Sequence, residues 1–501
     1  YLRSSTQMCA CQFIICYMTK YSAIYSIFAL AATFLGGVVA SCNSSYDENE
    51  YTYAYSSTVI TAFSLSANEK ILNNLDSVYF SIDLNTGEIY NAQPLPYGTD
   101  ISRMIVNIES DMCSATDIMF KTKAGADTTV NYLTNATDSI NFAGGPVRIH
   151  VASYDGTAGQ NYTVTINVYD HPVDSIYWTA VGGRLPSAIS GLQKQKTVES
   201  DGTYYMLTAN ATGHSIAVTT DPYDWSSWQS RSIRFDAFDP DVDSFTATSD
   251  GKLYILDGAG NLYVSQDEAE SWTVCDGVEM QYLYGAYDDK VVGCFVSGNT
   301  VYTSVYPGTS APMAMPADFP VSGTSNMVCM NVRWGVQPQG YFVGGRKLDG
   351  GLSGDTWGFD GKEWACVSAG ALDEAEGRSL FSYTFSATDT VTWRTTEHEV
   401  LVTLGGKKKD NKLVDDVHFT DDMGMHWFDA DQQKQLPSEI KPRYGASVFV
   451  AEHEIRSRAI RPITEWNAPY IYLVGGYDIT GRLLPDAWRG VLGYLTVKPL
   501  Q

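Results

Sequence analysis

From about residue 56 to 170 the hydrophobic positions recur with a period of two. Val78, Phe80, Ile82 and Leu84 alternate with polar residues until Asn85-Thr86-Gly87 breaks the run, and Met104, Val106 and Ile108 repeat the pattern. Val147, Ile149 and Val151 do the same, as do Tyr162, Val164, Ile166 and Val168. Alternation turns one face of a strand toward a core and the other toward water, so these segments predict half-buried strands joined by turns. Only 66–74 has room for a turn of helix. Several such strands predict a small Ig-like β-sandwich over 56–170, ending at Asp170-His171-Pro172, where a proline behind a strand marks a boundary. No residue pattern in it suggests catalysis, and a spacer or docking module is the expected role.

Beyond 171 the pattern is a repeat. Three apolar strands run into glycine pairs: Gly344-Gly345, Gly405-Gly406 and Gly475-Gly476. Ten residues past each second glycine stands an aspartate (Asp355, Asp416, Asp486), and two further on a bulky residue (Trp357, His418, Trp488). One register shared by strand, glycines, aspartate and bulky side chain marks repeated units. The pattern resembles kelch propeller repeats, in which a glycine pair ends an inner strand and an aromatic fills the wedge between blades. His418 takes the Trp position, which implies packing rather than metal binding.

A second motif interleaves with the first. Thr420-Asp421-Asp422-Met423-Gly424-Met425-His426-Trp427 matches the Asp-box pattern, with Asp422, Gly424 and Trp427 in the key places. Ser265 to Trp272 matches it through Asp267 and Trp272, with Ala269 where glycine belongs. The aspartate would accept turn amides and the tryptophan would staple outer strands, so the motif reads as a folding device. Strand-rich units near 200–236, 244–278, 282–320, 324–372, 378–437 and 443–492 predict a six-bladed β-propeller over 171–501 and an all-β chain. Asp174 to Thr179 is expected to close the last blade, with Leu495 to Val497 as the competing closer.

The start of the chain has another texture. Residues 1–17 precede a plausible start at Met18 and read as an upstream translation artefact. From Met18 a short region with Lys20 leads into an apolar stretch from Ile24 to Val39 and then Val39-Ala40-Ser41-Cys42. This is signal-peptide anatomy over 18–41, and its end resembles a bacterial lipobox, which implies a lipid on Cys42. Asn43 to Glu50 opens a 42–55 segment that resembles the acidic export tag of Bacteroidetes surface lipoproteins, or is an ordinary solvated tether.

Composition narrows the function. The 501 residues carry 33 Lys+Arg against 57 Asp+Glu, a net charge of −24 that would repel a phosphate backbone, so no nucleic-acid partner is expected. Removing 1–41 takes Arg3 and Lys20 and no acid, which deepens the charge to −26. With 43 Gly, 33 Tyr and 11 Trp but only 18% charged residues, the composition suits short strands and turns. Cys113, Cys275, Cys294, Cys329 and Cys366 are scattered and odd in number, so buried free thiols are expected rather than a disulfide framework. No metal or cofactor motif is present.

Taken together, lipobox, acidic tether, small β domain and mixed kelch and Asp-box propeller resemble an uncharacterised Bacteroidetes surface lipoprotein family. The resemblance implies a fold and an outer-membrane, surface-exposed location, without an activity to carry over. Candidate ligand-binding residues are Arg346 behind a glycine pair and Arg378 and Arg443 at blade starts; each could fork onto a carboxylate or sugar hydroxyls, or cap carbonyls and pair with local aspartates. Trp225, Trp228, Trp334, Trp393 and Trp466 lie outside the repeat positions and offer stacking faces or core. The expected role is a non-catalytic module binding glycans or proteins, anchored to the membrane by its lipid. The alternative is a sialidase-like glycoside hydrolase, which Gly183-Arg184-Leu185-Pro186 faintly resembles in context. A copper radical oxidase finds no supporting histidine motif.

Overall fold

The computed structural model describes residues 56–169, 175–308, 311–331, 337–388, 395–456 and 465–496. The segments assigned to signal, Cys42 and tether lie outside them, as do Trp334 and Trp393. The described chain is all-β, with 3-10 turns as its only helical elements.

In the first 114 described positions, two sheets share one core. Ile60–Leu65 pairs with Val106–Ser110, and a six-stranded sheet is centred on Cys113–Lys121, Val147–Ser153 and Gly159–Thr165. The alternating residues of the sequence supply that core: Met104, Val106, Ile108, Val147, Ile149, Val151, Tyr162, Val164 and Ile166 are all buried. One pair in the larger sheet is parallel, Glu88–Tyr90 against Gly159–Thr165.

One expectation needs correction here. Leu84 is exposed, because the strand ends at Asp83, whose carboxylate takes the Asn85 and Thr86 amides and starts the turn early. Within 66–74 the Asn68 carbonyl accepts the Ile71 and Leu72 amides and its side chain the Lys70 amide, which makes a single turn and no longer helix, and a 3-10 turn follows at Leu75–Ser77.

From residue 175 onward, six four-stranded antiparallel sheets follow in the described residues. Their first strands are Lys194–Ser200, Pro240–Ala247, Tyr282–Tyr287, Val328–Asn331, Ser379–Thr388 and Ser447–Arg456. Each contacts the next, and the sixth returns to the first, so the inner strands form a closed ring. The first sheet begins six residues earlier than its expected start near 200. The fourth strand of the sixth sheet is Ile176–Gly182, laid against Ala487–Leu492, so the two ends of the region are hydrogen-bonded together. Gly493–Thr496 is a 3-10 turn and closes no sheet.

The glycine pairs explain how closely the sheets approach. Gly344, Gly405 and Gly475 all have φ between 65° and 69°. A Cβ on Gly344 would sit 2.6 Å from the Ala375 carbonyl oxygen, on Gly405 2.6 Å from that of Arg443, and on Gly475 2.3 Å from the Gln195 side chain. Each first glycine therefore abuts the following unit, and Gly475 abuts the first, at positions where any side chain collides.

Candidate functional site

The arginines singled out from sequence take up different places. Arg443 is buried, with Nη1 and Nη2 on the two Asp486 carboxylate oxygens at 2.7 and 3.1 Å, Nη1 also on the Gly475 carbonyl and Nε on that of Lys441. Arg378 is buried too, donating to the carbonyls of Gly405 and Asp373. Burial pulls its guanidinium down to about 10, against the opposing pull of Asp373 and Asp416. Both are buried inside the framework, where they cap carbonyls and, for Arg443, pair with a local aspartate, the alternative that the sequence left open. They also stand in different registers: Ser379 and Ser447 are the matching first residues of their strands, with Arg378 one before and Arg443 four before. Arg346 alone stays on the surface, with Nε and Nη2 on one Glu376 oxygen at 3.1 and 2.7 Å.

The repeat residues serve structure. Asp355 accepts from Ser353 and from the Gly370 amide, and Trp357 is buried against Phe319. Trp488 donates to Asp486, whereas Asp416 is exposed. His418 fills its expected place and pairs with Asp429 at 2.9 Å; burial first and then Arg378 lower its basicity. Asp422 takes the His426 amide and the Thr420 hydroxyl, while Trp427 donates across to Thr356 of the fourth sheet at 2.9 Å. Asp267 repeats the turn with Ser265 and Ser271, and Trp272 packs on Phe235. The five described cysteines are free; Cys275 and Cys294 are buried, whereas Cys329 and Cys366 are exposed, contrary to the expectation of burial.

The described tryptophans outside the repeat positions offer little stacking surface. Trp228 is buried and Trp225 half-buried, edge-on to each other with ring centroids at 5.7 Å, and half-buried Trp466 donates to the Leu495 carbonyl. Beside them Tyr223 lies between the His453 ring at 3.4 Å and the Arg489 guanidinium at 3.7 Å, a filled stack.

The open concavity lies elsewhere. A cavity of about 200 Å³ is framed by 196–199 of the first sheet, 243–247 of the second, 282–286 of the third, 324–327 before the fourth and Val448-Phe449 of the sixth. Its polar groups include Lys196, Glu199, Asp243, Tyr282 and Asn326, and its surface is mainly polar, with the buried side chains of Phe245, Tyr284 and Phe449 packed behind it. Lys196 Nζ donates to Asn326 Oδ1 at 2.5 Å. Burial lowers the ammonium below the ordinary lysine range, with Asp243 and Asp241 pulling the other way. Tyr282 bonds to Thr324 through amide and hydroxyl at 3.0 and 3.1 Å, and burial pushes its phenol up to about 12. Asp243 is held by Lys194 Nζ at 2.8 Å and by the Tyr477 hydroxyl at 3.2 Å.

Asp243 also joins the cavity to a belt of contacts along the sheet edges. Tyr477 meets Tyr444 with centroids 5.5 Å apart, and Lys407 lies 5.3 Å above the Tyr444 ring. Lys407 exchanges backbone hydrogen bonds with Glu376, the partner of Arg346. Arg346 is thus a belt residue, whereas Arg378 and Arg443 lie within the sheets. Sequence reading missed the cavity set. The available signal was Lys194 to Ser200, a strand polar on both faces, which is unusual for an inner strand.

The profile of the DUF6242 N-terminal domain, a domain of unknown function, matches residues 54–166, and that of the DUF6242 beta propeller domain matches 172–500. No curated protein matches the chain. Among solved structures it is similar to YCF48 bound to D1 peptide, at 15% identity over 71% of this chain and 88% of that one, with a TM-score of 0.30. It is similar also to the GH74 enzyme of Niastella koreensis, at 13% identity over 48% and 38% of the two chains and a TM-score of 0.30. A third is the Trypanosoma rangeli sialidase in complex with 2,3-difluorosialic acid, at 13% identity over 64% and 58% and a TM-score of 0.33. Matched over most of its length by the two profiles, the chain belongs to the DUF6242 family and carries its β-propeller domain.

Proposed function

We propose that this chain is a surface lipoprotein, attached to the outer membrane through a lipid on Cys42, whose β-propeller binds glycan or protein ligands without transforming them. In this reading 56–170 is an Ig-like sandwich that spaces a six-bladed, kelch-like and Asp-box propeller away from the membrane. The six four-stranded sheets and the cyclic order of their first strands support six blades.

One observation carries the binding reading: an open, mainly polar cavity framed by the ring of first strands. A concavity where several polar groups converge is a usual place for a small ligand. A glycosidase of the sialidase kind needs free arginines on the substrate carboxylate, and Arg378 and Arg443 are spent on carbonyls and Asp486. The mainly polar lining suits sugar hydroxyls, which favours glycan over protein.

The test is a glycan array probed with the purified full chain, run beside a panel of fluorogenic glycosides. Retention of a defined glycan set with no released fluorophore supports the reading. Turnover of any glycoside that persists on purification overturns it.

A further inference from the structure

We propose that Lys196 and Asn326 form a carboxylate subsite in this cavity, so that the sugar it takes is an acidic one, a hexuronate or a related acid. The inference rests on the glycan-binding reading and sharpens it.

The argument starts from donors left over. An ammonium has three N–H donors and no acceptor. Among the described residues Lys196 spends one of them, on Asn326 Oδ1, and pairs with no carboxylate. Accepting that bond fixes the Asn326 amide with its Nδ2 donors directed away from Lys196, and within the described residues these have no partner. A strand and a loop far apart in sequence therefore place up to four unused N–H donors beside one another on one cavity wall.

The acids nearby are already engaged. Asp243 is held by Lys194 and Tyr477, Asp241 by Lys194 at 3.4 Å, and the Glu199 carboxylate takes the Gly202 amide of its own hairpin. Tyr282 is spent on Thr324. A half-buried cation held by one hydrogen bond at the wall of an open cavity gains when an anion arrives to pair with it. Burial already pushes its protonation downward, a penalty that a bound carboxylate would relieve.

Size and wall chemistry select the anion. The cavity of about 200 Å³ is open to solvent and has room for one ring-sized group. Phe245, Tyr284 and Phe449 are buried behind the lining, so the surface on offer is mainly polar. A sugar ring with several hydroxyls uses that surface as well as the donors, while an aspartate or glutamate side chain from a protein partner uses only the donors.

The experiment is calorimetric titration of the full chain with glucuronic acid, glucose and N-acetylglutamate. Glucuronic acid and glucose share a ring and differ in carboxylate against hydroxymethyl. The acid should bind about tenfold or more tightly than glucose, the range of a charge-assisted hydrogen bond, and more tightly than N-acetylglutamate. Lys196→Met should erase that preference, and a thermal melt close to that of the wild type separates this loss from unfolding. Asn326→Asp, which gives Lys196 an internal partner, should erase it as well, and Lys196→Arg should keep it. Equal binding of the two sugars, or a preference that survives Lys196→Met, overturns the inference and leaves the glycan reading standing. Binding of N-acetylglutamate alone, or of none of the three, overturns both.

Discussion

Arg443 and Asp486 face each other as a two-pronged ion pair, Nη1 to Oδ1 at 2.7 Å and Nη2 to Oδ2 at 3.1 Å, with the arginine wholly buried and the carboxylate about a third exposed. The pair ties the segment entering the last sheet to the loop behind its glycine pair, since Arg443 also holds the Gly475 carbonyl. Removing the carboxylate strands a buried cation. Asp486→Ala is therefore expected to destabilise the chain by about 3 kcal/mol, the lower end of the range for broken buried pairs because Asp486 keeps some solvent. Urea unfolding monitored by tryptophan fluorescence checks it.

The same pair sets a pH dependence. Burial alone would raise the Asp486 pKa, but hydrogen bonds from Arg443 and Trp488 outweigh it and hold it below the ordinary carboxylate value. A carboxyl depressed in the folded state contributes stability that is fully present above its unfolded pKa, near 4, and is lost as pH falls through the folded value. Unfolding midpoints of wild type and Asp486→Asn should differ at neutral pH and converge below about pH 4. A gap independent of pH down to acid unfolding would contradict the pairing.

The two Asp-containing turns predict unequal responses to one methyl group. Gly424 has φ 86°, and a Cβ there would lie 2.9 Å from the Thr356 methyl carbon in the neighbouring sheet. Gly424→Ala should cost about 1–3 kcal/mol through backbone strain and overpacking. Ala269 already occupies the matching place at φ 66° and is buried. Ala269→Gly relieves strain but loses a buried methyl, so its effect should stay within about 1 kcal/mol of zero. Paired thermal melts of the two variants decide.

Closure of the ring makes a fourth prediction. Gly490 lies under Trp178 of the strand Ile176–Gly182, and a Cβ there would come 2.9 Å from the indole. A rigid ring cannot yield as a flexible chain does, so Gly490→Ala should destabilise by about 1–3 kcal/mol and expose the sheet edge. Hydrogen exchange should speed up in 176–182 and 487–492 before the rest of the region. Uniform loss of protection would mean that closure is not a separable event.

Anchoring is tested apart from the fold. Under the proposed lipid attachment, Cys42→Ala should move the protein from the membrane to the soluble fraction of its host cells. Unchanged membrane partition would remove the lipoprotein assignment and leave the cavity argument untouched.

Period-two alternation identified Val147, Ile149, Val151, Tyr162 and Val164 as core because one strand writes its own burial locally. Leu84 failed for an equally local reason, as the Asp83 side chain ended the strand before the alternation did. The glycine pairs were legible because only glycine fits where one sheet abuts the next. The arginines were not, since a buried Arg443 on Asp486 and an exposed Arg346 on Glu376 look alike in a string of letters. The cavity was least legible. Lys196, Asp243, Tyr282 and Asn326 come from four separate sheets and approaches, and only ring closure brings them together.

The most direct test of the binding account is hydrogen–deuterium exchange of the full chain with and without its best array glycan. Protection confined to 196–199, 243–247, 282–286 and 324–327 is the predicted result. Protection centred instead on Trp225, Trp466 or the outer turns, with those four segments unchanged, would contradict it.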